Sequence, residues 1–509
     1  MAESSEKLAK SLEILEAFQK EGRTCLRARD LSRTHRERLQ NAGFIQEVMK
    51  GWYIITRPDE KPGDSTAWYT SFWGFCHEYL TERFGADWCL SPEQSLLLQS
   101  GNWTVPRQLL VRAPAGSNRR TDLQHDTAIL DVRLPLPAAA DQAIMEGLRI
   151  YTIEAALVAV GEGFFQNNPV DARAVLSTQR EASALLARLL DGGHTIVAGR
   201  LAGAFRNIGA ERLAEDILST MRAAGHVVRE TDPFTGRLEG YRYTREPSPY
   251  VHRIRAMWGK MRSDVLGRFP APPERELSIG SYLDAVDKIY VTDAYHSLSI
   301  EGYRVTRDLI ERVRSGGWNP EQNEADRNHR DAMAARGYFQ AFEAVKKSLE
   351  RILEGKNPGT VVDEEHPAWY RQMFGPSVEA GLIPATSLAG YRSWPVYIRG
   401  SQHRPLNPEA VRDTMPVFFE LLQGESDPAV RIVLGHFTFV YIHPYMDGNG
   451  RMGRFIMNTM IAAAGYDWLV IPVERRAGYM QALEAASAGQ DIIPFTEFLA
   501  DLIRRPAAT

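Results

Sequence analysis

Residues Val440–Met460 read VYIHPYMDGNGRMGRFIMNTM. Apolar runs flank a centre that is too polar and too rich in glycine to be core. Upstream, RIVLGHFTFVYI (Arg431–Ile442) has the length of a buried helix and ends at HPYMDGNG, because a proline and two glycines cannot continue it. A second helix starts near Arg451 and runs through FIMNTMIAAAG. The stretch is therefore expected to be a helix–loop–helix whose loop opens onto a helix N-terminus.

Such a loop turns backbone N–H groups outward, and the helix dipole adds partial positive charge, which makes an anion site. Gly448 and Gly450 let the backbone approach a phosphate, and Asn449 adds a side-chain amide. Arg451 and Arg454 lie three apart, so both guanidinium groups can reach one polyphosphate. Asp447 is a hard oxygen ligand suited to Mg2+, whose shell phosphate oxygens would complete. His443 ends the preceding helix, where it can take a proton from an attacking hydroxyl. Base, metal ligand, phosphate cradle and two arginines describe nucleotidyl transfer, driven by positioning and charge stabilisation.

HPYMDGNGRMGR resembles the Fic (filamentation-induced-by-cAMP) motif, HPFx[DE]GNGRxxR, with Tyr445 in place of the usual phenylalanine. SWPVYIRGSQHRPLNPEAVRDTM resembles that family's flap hairpin and following helix, and MNTMIAAAGYDWLVIPVERRAGYMQALEAASAGQDIIPFTEFL its C-terminal helices, so the likeness runs over residues 280–500. The resemblance implies a protein adenylyltransferase that moves AMP from ATP to a Ser, Thr or Tyr hydroxyl of a target protein, with Mg2+. It makes His443, Asn449, Arg451 and Arg454 the catalytic set, with His443 the base and Asp447 the Mg2+ ligand. Gly448, Asn449 and Gly450 become the anion hole, Arg451 meets the α- and β-phosphates, and Arg454 meets the γ-phosphate. The flap at 394–400, through Val396, Tyr397, Ile398 and Arg399, would hold the target by adding a strand to its edge. Asn458 and Tyr479 are the candidates for the nucleotide base. Other donors stay open: UTP, GTP, CDP-choline, or ATP as a phosphate donor. The complete anion hole and Arg454 favour a nucleoside triphosphate in the AMP-transfer orientation.

Upstream lies HSLSIEGY, in which Ser297, Glu301 and Gly302 match the family's inhibitory pattern, (S/T)xxxE(G/N), placed before the core at the end of an inhibitory helix (281–302). Glu301 would pair with Arg454, occupy the group meant for the γ-phosphate and leave ATP misaligned, which can cost orders of magnitude in rate. The same glutamate could position a water for removing AMP; the residues do not decide this.

The N-terminal half has a different character. LAKSLEILEAF carries apolar residues at helical spacing, ARDLSRTHRERLQNAG is a second helix candidate, and FIQEVMKGWYII reads as two strands around Lys50-Gly51. Helices followed by a wing are the order of a winged helix-turn-helix. Gly22–Arg57 holds eight basic against three acidic residues. Arg29, Arg33 and Arg36 are expected on one helical face, where they would meet DNA phosphates or form the solvated side of a protein-binding module. The following block, 61–245, is mixed, with strand-like runs and then glycine-stopped helices. GWYIITRP, LSPEQSLLLQSGNW and YTIEAAL resemble the AbiEi-type antitoxins of type IV toxin–antitoxin systems, which implies a DNA- or partner-binding regulatory part. A second function is thus carried beside the first: an antitoxin-like regulator whose Fic half senses nucleotide.

The 509 residues, net charge of -4 and 44% apolar content suit a soluble globular protein of several domains. Cys25, Cys76 and Cys89 form no metal or disulfide pattern and read as reduced thiols. No signal-peptide core and no apolar run near the roughly 18 residues of a membrane span is present, which points to the cytoplasm without membrane attachment. Self-association stays open. The expected fold is mainly α: a winged-helix-like unit (1–60), a mixed α+β middle domain (61–245) and an all-helical Fic domain with a β-hairpin flap (246–509), its catalytic loop at 443–454.

Overall fold

The computed structural model of the chain describes residues 2–58, 63–238, 240–241, 243–244, 246–274, 278–318 and 329–505. The centre of the Arg57–Thr66 connector (59–62), the expected boundary residues 60, 61 and 245, the end of the proline-rich stretch (275–276) and residues 324–328 of one helix candidate lie outside the described residues. Packing divides the chain into two units. The first takes Met1–Arg237, Arg242–Arg253 and Tyr397–Arg404; the second takes Leu238–Tyr241, Ile254–Val396 and Pro405–Thr509. The blocks 1–60 and 61–245, apart from 238–241, thus fall together, and 397–404, expected with the C-terminal block, falls with them.

The first unit opens with α1 (Ala2–Lys20), β1 (Cys25–Arg27), α2 (Arg33–Asn41), β2 (Ile45–Met49) and β3 (Trp52–Ile55). The strands form an antiparallel sheet of order β1-β3-β2. Leu15, Leu26, Leu31, Leu39, Ile45 and Tyr53 fill its small core. Ser32 caps α2 by accepting from the His35 N–H, so the helix begins at Arg33 and Arg29 precedes it in a turn. The expected single face of Arg29, Arg33 and Arg36 is therefore not formed.

Next come α3 (Thr66–Phe84), β4 (Cys89–Leu90), α4 (Pro92–Gln99), β5 (Gln108–Ala113), β6 (Arg119–Asp122), β7 (Ala128–Arg133), β8 (Gln142–Met145) and β9 (Leu148–Tyr151). The sheet of order β4-β5-β7-β6 pairs β5 and β7 in parallel. Apolar residues of α3 at helical spacing, Trp68, Phe72, Phe75 and Cys76, share a core with Trp88, Val111 and Ile129. The three cysteines are free and buried. Six helices follow: α5 (Ile153–Ala159), α6 (Glu162–Asn167), α7 (Pro169–Ser177), α8 (Ser183–Asp191), α9 (Thr195–Asn207) and α10 (Glu211–Ala223).

Residues 397–404 are bound into this unit by side chains. Arg399 pairs with Asp64 at 2.8 Å, and the Gly400 N–H donates to Thr66 Oγ1 at 2.8 Å. Arg404 pairs with Glu146 at 2.8 Å and lies over the Trp103 ring. No strand forms anywhere in 385–404, so the expected β-hairpin flap is corrected to an irregular segment. Pro395 and Pro405 carry no N–H for a ladder, and the polar groups between them already have partners in the first unit.

The second unit is helical: the rest of α11 (Pro249–Val265), then α12 (Ile279–Ile300), α13 (Arg307–Arg314), α14 (His329–Leu353), α15 (Pro358–Glu379), α16 (Pro408–Gly424), α17 (Pro428–Ile442), α18 (Asn449–Ala463), α19 (Arg476–Gly489) and α20 (Ile493–Arg504). Asp427 caps α17 and Pro428 opens it. From Ile432 to Ile442 every residue of α17 is buried, and α18 is buried from Arg451 to Ala462. The two pack on each other, with α14 and α15 against α18. A helix apolar all round must lie at the centre, and these two do.

Candidate active site

The site is built where α17 stops. His443 caps α17 in the left-handed conformation (φ 55°), its N–H donating to the Phe439 carbonyl at 3.0 Å, and Pro444 follows. That conformation is unfavourable for a residue with a Cβ and persists only when its surroundings hold it. His443 Nδ1 lies 3.1 Å from the Val440 carbonyl, which can only accept, so Nδ1 carries the proton and Nε2 keeps its lone pair. Burial drives the imidazole down to about 4, with the Arg392 charge adding to it and the Val440 bond opposing. The side chain is a neutral acceptor at pH 7.

The loop is stapled from within. Asn449 Oδ1 accepts from the Tyr445 N–H at 2.9 Å and Nδ2 donates to the Tyr445 carbonyl at 2.8 Å. Both ends of the Asn449 amide thus bind the loop backbone, and one Nδ2 N–H is left over. Tyr445 is buried, and its ring stacks on Tyr370 with centroids 3.8 Å apart, so a phenol serves as the anchor. Gly448 starts α18 at φ 79°, and a Cβ there would meet the Phe374 ring at 2.7 Å. A Cβ on Gly450 would strike the Glu301 carboxylate, so that carboxylate lies directly against the glycine loop at the helix N-terminus.

Arg451 is buried with its guanidinium between the rings of Tyr303 and Phe374, at 5.1 and 5.0 Å. It approaches Asp447 at 3.5 Å, and its Nε has no hydrogen-bond partner. Arg454 donates from Nε to Ser297 Oγ at 2.8 Å, and from Nη2 to the Ser297 carbonyl at 3.0 Å and to Glu301 Oε1 at 2.7 Å. Its Nη1 is buried without a partner. Burial alone would lower the Arg454 guanidinium, but Glu301 more than offsets it and the group is raised. Gly302, at φ 89°, turns the chain away directly after Glu301, which explains a glycine at that place.

Asp447 is exposed at the loop edge and accepts from the Gly448 N–H at 2.6 Å. Among the described residues no cluster of three metal-ligating side chains occurs, so the protein by itself offers Mg2+ this one carboxylate. Asn458 is bound to backbone instead of facing a ligand. Its Nδ2 donates to the Leu469 carbonyl at 3.0 Å and its Oδ1 accepts from the Leu469 N–H at 2.7 Å. Tyr479 is buried with its hydroxyl 2.8 Å from His436 Nε2. Each therefore has a partner inside the protein, which leaves one N–H of the Asn458 amide and one side of the Tyr479 hydroxyl. Sequence reasoning also missed Arg392, Tyr303 and Phe374; a lone arginine and two aromatic residues carry no motif.

In the first unit Arg29 pairs with Glu82 at 3.0 Å, Arg33 with Glu37 at 2.7 Å, and Arg36 donates to the Ala28 carbonyl at 2.9 Å. Arg29 and Arg33 stay largely exposed in these pairs.

Residues 368–461 match the sequence profile of the Fic/DOC family. The chain carries a Fic domain. The profile covers the site from α15 to α18 and leaves Ser297, Glu301 and residues 1–245, with their AbiEi resemblance, outside it. The Fic domain has curated relatives. Protein adenylyltransferase fic-1 of Caenorhabditis elegans is 28% identical over 221 residues, 42% of this chain and 39% of that protein. Protein adenylyltransferase Fic of Drosophila willistoni is 30% identical over 228 residues, 43% and 41% of the two chains. The chain thus spans about two fifths of the length of the relatives it matches. A solved structure of Fic-1 from C. elegans aligns at 20% identity and a TM-score of 0.37, over 66% of this chain and 94% of that one. No described helix is long and apolar enough to cross a membrane.

Proposed function

We propose that the Fic domain transfers AMP from ATP to a Ser, Thr or Tyr hydroxyl of a protein, and that Glu301 holds it inactive. One observation carries this: Arg451 Nε and Arg454 Nη1 are buried donors without partners, beside a glycine loop at a helix N-terminus that follows a neutral His443. Phosphate oxygens are what such donors fit. The names of the curated relatives, protein adenylyltransferases, support the reaction class.

In this reading the glycine loop and Arg451 hold the phosphates. His443 Nε2 takes the proton from the target hydroxyl as its oxygen bonds to the α-phosphorus. The bond between the α-phosphorus and the bridging oxygen breaks, and pyrophosphate leaves. Mg2+ would be held by Asp447 together with phosphate oxygens, and when bound it neutralises charge on the leaving group. Glu301 on Arg454 keeps the γ-phosphate from its partner and sets a carboxylate against Gly450. The DNA-binding alternative has no comparable support, since the expected single arginine face is not formed and Arg29 lies in a turn ahead of α2.

The test uses the purified chain, Glu301→Gly and Glu301→Gly/His443→Ala, with Mg2+ and ATP labelled on the α-phosphate. Protein label in the Glu301→Gly sample alone is expected. Label only from γ-labelled ATP would mean phosphoryl transfer instead, and bound ATP with no label in any sample would favour a nucleotide sensor.

A further inference from the structure

Arg392 lies outside every motif in the sequence, yet it is 2% exposed. Its Nε donates to the His443 carbonyl at 2.8 Å and Nη1 to the Trp394 carbonyl at 3.1 Å; Nη2 donates to the Leu406 carbonyl. Its own N–H donates to the Pro444 carbonyl at 2.9 Å. Among the described residues it pairs with no carboxylate. A buried guanidinium satisfied by three backbone carbonyls is a fixed fork, and a lysine in its place could not reproduce it.

The three carbonyls lie in separate parts of the chain. His443 is the base, held in a conformation that needs support. Trp394 precedes and Leu406 follows the 397–404 segment, so they are its two stems. We propose that Arg392 is a positioning residue for the transfer reaction: it fixes the backbone of His443 and fastens both stems of the 397–404 segment to the catalytic loop. The inference rests on the reading of His443 as base. Burial and the charge of Arg412 pull Arg392 down to about 10, still protonated at pH 7, so the carbonyl dipoles face a cation. The phosphate-facing arginines are held apart from this fork, Arg454 by Ser297 and Glu301 and Arg451 against the Tyr303 and Phe374 rings. Loss of the fork should therefore separate rate from ATP binding.

The experiment places Arg392→Lys and Arg392→Met in the full chain carrying Glu301→Gly. It reads self-labelling from α-labelled ATP at varied ATP, together with amide hydrogen exchange. Arg392→Lys keeps the charge and most of the volume, so it folds if the lesser change is tolerated. Its maximal rate should fall about 10- to 100-fold while the half-saturating ATP concentration moves less than about threefold. Peptides covering 391–396 and 440–447 should exchange faster, with α14 unchanged. Arg392→Met should be slower than Arg392→Lys. A parental rate or parental exchange in Arg392→Lys overturns the proposal, as does an equal loss of rate and ATP affinity with faster exchange throughout α14. If the Glu301→Gly parent labels nothing, the transfer reading has failed, and the exchange comparison alone decides whether Arg392 holds the loop.

Discussion

Arg33 in α2 and Arg454 in α18 each meet a glutamate at 2.7 Å, but 83% of the Arg33 side chain is exposed against 5% of the Arg454 side chain. The Arg33–Glu37 pair is one helical turn long and sits in water, where salt screens it and side-chain entropy opposes it. Arg454 has left water and needs negative charge wherever it can find it. Glu301 supplies that charge, and a phosphate would supply it equally well. The same pair of residue types is thus a screened surface contact in one region and a buried charge contact in the other, where the proposed reading has carboxylate and phosphate compete. Partner distance says nothing of this; burial and the orphaned Nη1 say it.

The comparison can be broken at its strong end first. In the Glu301→Gly chain, Arg454→Met should lower the AMP-transfer rate about 10²- to 10³-fold, read as label per minute at saturating ATP, because a preorganised charge is lost. An unchanged rate would mean that Arg454 does not meet the nucleotide. Next, Glu301→Gly in the otherwise native chain should raise transfer about 100-fold as Arg454 and the loop become available. A smaller effect is expected at Arg451→Lys: calorimetry should find ATP bound about tenfold more weakly, since lysine cannot keep both the ring sandwich and the phosphate contact.

The pH profile sharpens the role of the base. His443 must be neutral to accept a proton, and with its value at about 4 that form persists from neutral pH down to mildly acid solution. The log of kcat/KM should therefore be level between pH 6 and 8, on the scale of an ordinary histidine titration, with the histidine-dependent acid limb only near 4. A limb at the usual imidazole position would show that the imidazole is not buried in the free chain. At the weak end, replacing Arg29, Arg33 and Arg36 together with Gln should leave transfer and the melting temperature unchanged. A salt-sensitive gel shift with promoter DNA that this triple variant abolishes would reverse the comparison and restore the regulator reading.

Much of the site was legible because its chemistry is local. His443 through Arg454 is one continuous stretch, and glycine, proline and arginine at fixed offsets dictate a helix end, a turn and a helix start. The pairing of Glu301 with Arg454 was expected only from the resemblance of Ser297–Gly302 to the family's inhibitory pattern, and the two residues meet across 153 positions of the chain. What the residues did not show has a common cause. An amide's partners depend on which backbone lies nearest after packing, and Asn449 and Asn458 both bind main chain. The flap was expected as a hairpin because its residue order resembles one; its polar groups are instead taken up by Asp64, Thr66 and Glu146, far away in the chain.

What the sequence determined by itself is therefore the helix–loop–helix at 443–454, with its glycines and two arginines at fixed offsets, which follows from backbone geometry over a few residues. The carboxylate of Glu301, 153 residues away from Arg454, was reached only through the resemblance to the family's inhibitory pattern. Only the tertiary structure decided which polar groups remain available once the chain has packed. It committed Asn449 and Asn458 to backbone, left Arg451 Nε and Arg454 Nη1 without partners, and brought Arg392 onto the carbonyl of His443. The physical reason is that a motif fixes what a residue can donate or accept, whereas burial brings distant backbone within reach and so decides where that donor or acceptor goes.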